Sequence, residues 1–132
     1  MRDIEEAIGA HALWMSELRQ AILDARPGVE VGGIRADDQC EFGQWLYGSR
    51  LSAADRMTES YQEVRRLHAE FHDLAALLVE RAAAGRIVEA YALLYDEYVT
   101  MSGRLALAMR AWQPCSTTST SRCPAGWLAS AC

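Results

Sequence analysis

Three histidines and one cysteine of this chain have the types and spacing of a metal-binding set. His68 and His72 are four residues apart, which on a helix puts both imidazoles on one side, about one turn from each other. His11, one of only three histidines, falls in an apolar stripe with Ile4, Ile8, Met15, Leu18 and Ile22. Cys40 opens a short apolar segment, where the free N–H groups of a first helical turn and the helix dipole favour a thiolate. Three neutral imidazoles and a thiolate suit tetrahedral zinc. Mixed nitrogen and sulfur ligation also fits copper or iron, with zinc preferred. Taken singly, these residues argue little. A lone buried histidine is as often a satisfied core residue, a lone i, i+4 histidine pair is a weak signal, and a lone cysteine is commonly a small hydrophobe. Their co-occurrence decides. All three histidines face the expected core, and leaving each unpaired there costs about 1–3 kcal/mol, a penalty that a shared metal removes.

The elements that must position these residues read as helices. Asp3 and Glu6 form a capping box for a first helix whose stripe carries His11, with Trp14 beside it and Pro27-Gly28 as its end. Residues 26–37, with Gly32-Gly33, read as a loop. Asp38 and Glu41 form a second box ahead of a short helix, with Gly48 as the left-handed residue after it. That helix is marginal alone, so Phe42, Trp45 and Leu46 must hold it by packing, and Gly43 lets it sit close to its neighbour. Ser52 and Asp55 form a third box for a long helix running to about Ala84 and stopped by Gly85. Its inner face is Tyr61, Val64, His68, His72, Ala75, Leu78 and Val79. A last helix spans about 86–112, with a heptad-like stripe of Ile87, Tyr91, Leu94, Tyr98, Met101, Leu105, Ala108 and Trp112, the pattern of a bundle or coiled-coil seam. The expected fold is all-α: an antiparallel four-helix bundle of three long helices and one short Cys-bearing helix. It occupies residues 1–112. Residues 113–132, with a Ser/Thr run and no acidic residue, are expected to be a disordered tail holding Cys115, Cys123 and Cys132.

Composition narrows the function classes. At 132 residues the chain is long enough for one real core. A net charge of -5 and the lack of a basic stripe argue against nucleic acid and anionic membranes as partners. Residues 1–6 lack the basic start and apolar run of a signal peptide, and no apolar stretch has the length of a transmembrane helix. The expected compartment is the cytoplasm, where thiols stay reduced and four cysteines are not a disulfide framework.

Three segments carry a resemblance. Ala10-His11-Ala12-Leu13-Trp14, then Cys40-Glu41-Phe42-Gly43-Gln44-Trp45-Leu46-Tyr47-Gly48, then His68-Ala69-Glu70-Phe71-His72 resemble the signature segments of the chemoreceptor zinc-binding (CZB) domain family. The similarity covers about residues 4–112 in the same order, and the cysteine segment is the most specific. The resemblance implies a four-helix bundle with a small extra helix, and zinc held by the residues matching His11, Cys40, His68 and His72. It also implies a homodimer serving as a cytoplasmic sensor joined to a chemotaxis receptor or diguanylate cyclase. The 132 residues contain neither a receptor signalling hairpin nor a cyclase domain, so the signalling partner is expected in trans or in a longer chain.

The leading expectation is a zinc-responsive regulatory domain that transmits zinc occupancy to a signalling partner. The alternative is a redox sensor in which hypochlorous acid oxidises the zinc-bound Cys40 thiolate and frees the short helix. An enzyme is not expected. Four protein ligands leave no open position on a tetrahedral zinc, and Glu70 does not stand beside His68 as an H-E-x-x-H base would. A di-iron bundle needs more inward carboxylates and histidines than this chain has.

Overall fold

The computed structural model describes residues 4–112. Asp3 of the first expected capping box and the whole tail, with its three cysteines, lie outside the described residues. Among the described residues there are helices and no strand. They are α1 (Ile4–Asp24), α2 (Gly32–Arg35), α3 (Glu41–Leu46), α4 (Ala53–Arg56), α5 (Glu59–Ala83), α6 (Ile87–Leu93), a π-helical turn (Leu94–Tyr98) and α7 (Val99–Ala111).

Side-chain contacts give the chain directions. Arg110 near the end of α7 donates to Glu5 at the start of α1 at 2.9 Å, and Trp112 meets Tyr61 at the start of α5. α1 and α5 therefore run alike, and α6–α7 runs against both. The segment between α1 and α5 returns along α5. Arg35 pairs with Glu80, Cys40 meets His68, and Tyr61 donates to the carbonyl of Leu46. The stretch that carries α2 and α3 thus lies along α5 as a further arm.

The core follows the apolar faces. Leu18 and Ile22 of α1, Val64, Phe71, Ala75 and Leu78 of α5, and Leu94, Leu105 and Met109 of the last arm are buried together. α3 is held as its length requires. Phe42, Trp45 and Leu46 are at most 7% exposed, and burying such side chains contributes about 1.5–3 kcal/mol each. α5 stops at Gly85, whose φ of 85° is the left-handed conformation. The Arg86 N–H then reaches back to the Arg81 carbonyl at 2.9 Å, closing a Schellman-type end.

Five expectations need correction. Residues 26–37 are not all loop, because α2 forms there and packs on α5. The cap of α3 is not Asp38 but Cys40, whose sulfur accepts the Gly43 N–H at 3.2 Å. Gly48 is not left-handed; a Cβ there would lie 2.7 Å from the Gln44 carbonyl oxygen, so close approach is what demands glycine. The Ser52–Asp55 capping box exists but starts only α4. Thr58 caps the chain a second time, accepting from the Tyr61 N–H at 3.2 Å, and α5 begins after it. The last arm also departs from a straight heptad stripe. The π turn takes up an extra residue, so the buried face runs through Ala90, Leu94, Tyr98, Leu105 and Met109, while Ile87 is 37% exposed.

Candidate metal centre

Each ligand candidate is brought in by a different piece of packing. His11 sits on the inner face of α1, where its ring meets Phe71 edge-on with centroids 5.2 Å apart. His68 and His72 stand on successive turns of α5 and are fully buried. Cys40 arrives as the N-cap of α3, and that helix is seated by Phe42 against the His68 ring. Gly43 makes the seating possible. A Cβ there would lie 1.9 Å from the Asp37 carbonyl oxygen, so any side chain at this position drives the Asp37–Cys40 segment off α3.

The structure brings all four expected residues to one point. One donor atom from each of His11, Cys40, His68 and His72 lies within 4.8 Å of all the others. His11 Nε2 and His68 Nε2 are 3.3 Å apart, and Cys40 Sγ is 3.4 Å from His68 Nε2. A tetrahedral zinc with nitrogen bonds of about 2.0–2.1 Å and a sulfur bond of about 2.3 Å spaces its donors about 3.3–3.6 Å apart. These two separations are therefore already those of a ligand shell.

Hydrogen bonds fix which nitrogens face inward. His11 Nδ1 lies 2.9 Å from the Ala7 carbonyl oxygen and His72 Nδ1 lies 2.8 Å from that of Ile34. A carbonyl only accepts, so both Nδ1 atoms carry the proton and both Nε2 atoms present bare lone pairs to the centre. His72 Nε2 is buried without a hydrogen-bond partner among the described residues, as is His68 Nδ1. The nearest carboxylate to the latter is Asp37, 4.0 Å away and itself accepting from the Tyr47 hydroxyl at 2.5 Å. The bare Nε2 atoms of His11 and His72 thus converge with His68 Nε2 and the Cys40 sulfur, an electron-rich set that a cation satisfies.

Electrostatics favour the same state. Burial, reinforced by the neighbouring His72 and His11, holds His68 down at about 2. Burial also lowers His11 and His72, against the opposing pull of their carbonyl partners. All three imidazoles are thus neutral ligands at physiological pH. Cys40 behaves otherwise than its place at a helix start suggests. Burial raises its thiol, outweighing the Gly43 N–H that opposes it. Without a cation it is a thiol; the thiolate needs the metal charge beside it.

A family model for the chemoreceptor zinc-binding domain matches residues 11–79, just over half of the chain, and this span contains all four candidate ligands. The chain belongs to the chemoreceptor zinc-binding domain family. Comparisons with curated proteins and with solved structures gave no match.

In this CZB domain several supporting groups carried no sequence signal. The Ala7 and Ile34 carbonyls that orient two histidines are backbone atoms, and Ile34 lies in the stretch read as loop. Asp37 closes that same stretch and Tyr47 lies within the Cys40 segment, and nothing in their spacing joins them. Trp14 and Trp45 have separate roles. Trp14 packs edge-on to His72 at 4.7 Å and covers the centre. Trp45 instead turns to Trp112 and closes the end of the core. No helix of the described residues is long and apolar enough to cross a membrane.

Proposed function

We propose that this domain is a cytoplasmic zinc-dependent sensor that reports occupancy of the His11, Cys40, His68 and His72 centre to a signalling partner of the chemotaxis-receptor or diguanylate-cyclase type. The observation that carries this reading is the convergence of three neutral imidazoles and one sulfur from α1, α3 and α5. An ion held there ties together three elements that otherwise meet mainly by packing, with Tyr61 of α5 donating to the Leu46 carbonyl of α3, so its binding energy becomes packing energy. Loss of the ion frees the short helix first and shifts α1 against α5, a change that a partner can read. With four protein ligands the centre has no open position, and the role is regulatory, not catalytic. The reading is tested by titrating zinc into the full chain against a chelator while following near-ultraviolet circular dichroism. A reversible change in aromatic signal that saturates with zinc supports a sensor. Zinc binding without any such change leaves a purely structural ion.

A second reading has its own observation. Cys40 is only half-buried, while His68 and His72 are sealed. The zinc-bound thiolate is thus the reachable, oxidisable ligand, as a hypochlorous acid sensor requires. Peptide mass spectrometry of the zinc-loaded chain after oxidant titration tests it. If Cys115, Cys123 and Cys132 are consumed while Cys40 stays reduced, zinc occupancy alone is the signal.

A further inference from the structure

The four ligands are not equally remote from solvent. His68 and His72 are at most 1% exposed and His11 is 8% exposed, whereas Cys40 is half-buried. A cleft of about 240 Å³ between α1 and α3 reaches the centre from that side. It is lined by His11 and Cys40, by the rings of Trp14 and Phe42, and by Glu17 on α1 and Glu41 at the first position of α3. Both glutamates are exposed, so they stand at the outer end of the cleft. The opposite side of the centre is α5, which is packed against the core.

We propose that this cleft is the port through which a hydrated divalent cation reaches and leaves the ligand set, with Glu17 and Glu41 as the carboxylates that take it up at the mouth. The inference rests on the zinc reading above and concerns the kinetics of exchange, not the identity of the ligands. An ion arriving from water must shed its hydration in steps. Oxygen ligands at the rim of a partly apolar cleft draw a cation in and raise its local concentration. Once inside, it meets the half-buried Cys40 sulfur and His11 Nε2 before the sealed His68 and His72. Departure follows the reverse path. Because the two glutamates touch the ion only in transit, they accelerate uptake and release alike and leave the equilibrium little changed. The same mouth disfavours anions, so the centre is reached by cations and neutral molecules.

The test is stopped-flow exchange on the full chain, with zinc chloride and a chelating dye as probes. The Glu17→Gln/Glu41→Gln pair is expected to slow uptake and release together by about threefold to tenfold, the low end of what charged clefts contribute to on-rates, and to flatten their dependence on salt. A matched Glu59→Gln/Glu63→Gln pair, which removes the same charge from the start of α5, is expected to exchange like the parent. Ala10→Phe, an exposed lining position on α1, narrows the cleft without removing a ligand and is expected to slow both directions with zinc still bound one to one. Parent-like rates in both the glutamate pair and Ala10→Phe overturn the port. Uptake slowed equally by the two charge pairs also overturns it, because the effect is then net charge. A parent chain that takes up no zinc overturns the zinc reading beneath it instead.

Discussion

The three histidines are the residues on which the account turns, and in the absence of metal each is a burden. A histidine whose folded pKa lies below its ordinary value binds fewer protons in the native state than in the unfolded chain, so stability rises with pH across that interval. His68, His11 and His72 are all lowered from 6.5 by burial. Their neutral, folded form is fully favoured above pH 6.5 and loses ground as pH falls below it. The metal-free chain is therefore expected to lose stability between pH 6.5 and 5, with a limiting slope of about 1.4 kcal/mol per pH unit for a histidine that stays neutral throughout. Denaturant titrations at several pH values check this; a flat profile in that window contradicts burial of neutral imidazoles. A second burden lies away from the centre. The Tyr98 hydroxyl is buried without a partner among the described residues, its ring tilted on Phe71 at 4.9 Å. Tyr98→Phe removes the unpaired group and keeps the ring, so thermal unfolding is expected to show equal or greater stability, by up to about 1 kcal/mol. A clear loss indicates that the hydroxyl has a partner.

At the scale of elements, α3 is the weak member. It has six residues, too few to persist alone, and it depends on Phe42, Trp45 and Leu46 below it and on the Cys40 sulfur at its start. Zinc removal is expected to lower amide hydrogen-exchange protection in α3 and the preceding residues while the middle of α5 keeps its protection. Uniform loss along the chain contradicts a locally released arm. Gly43→Ala tests the same docking from the other side. A methyl group 1.9 Å from the Asp37 carbonyl oxygen forces the segment apart, and a destabilisation of about 1–3 kcal/mol with weakened metal binding is expected, as for other overpacked contacts. Much of this architecture was legible in the sequence, because period and ligand spacing are written in side chains. His11, His68 and His72 share a period with their apolar neighbours, and Cys40 with Phe42 and Trp45 marks a packed short helix. The break between α4 and α5 was not legible, since two good caps in a row, Ser52 and Thr58, look like one helix start followed by a helical residue. The π turn was hidden for a related reason. A stripe at mixed spacings of three and four fits a straight heptad as well as an α-helix with one residue inserted.

For the molecule as a whole, the fold has consequences for assembly. The heptad-like stripe of the last arm suggested a dimer seam, yet Leu94, Tyr98, Leu105 and Trp112 are spent on the chain's own core. What the last arm leaves outside is a different face, with Val88 83%, Tyr95 53% and Val99 45% exposed and Tyr91 stacked on Tyr95. We propose that the chain forms a homodimer and that it does so through this face. Light scattering of the full chain and of a Val88→Glu/Val99→Glu variant checks it: a dimer that becomes a monomer is expected, and a dimer indifferent to both changes places the interface elsewhere. The central claim is simpler and lies within the single chain, that α1, α3 and α5 meet to hold one ion. The most direct measurement is metal analysis of the full chain purified without added metal, alongside a His68→Ala/His72→Ala variant. The expected result is about one zinc per parent chain and almost none in the variant. A parent chain without metal that also fails to take up added zinc, or a variant that retains it, contradicts the account.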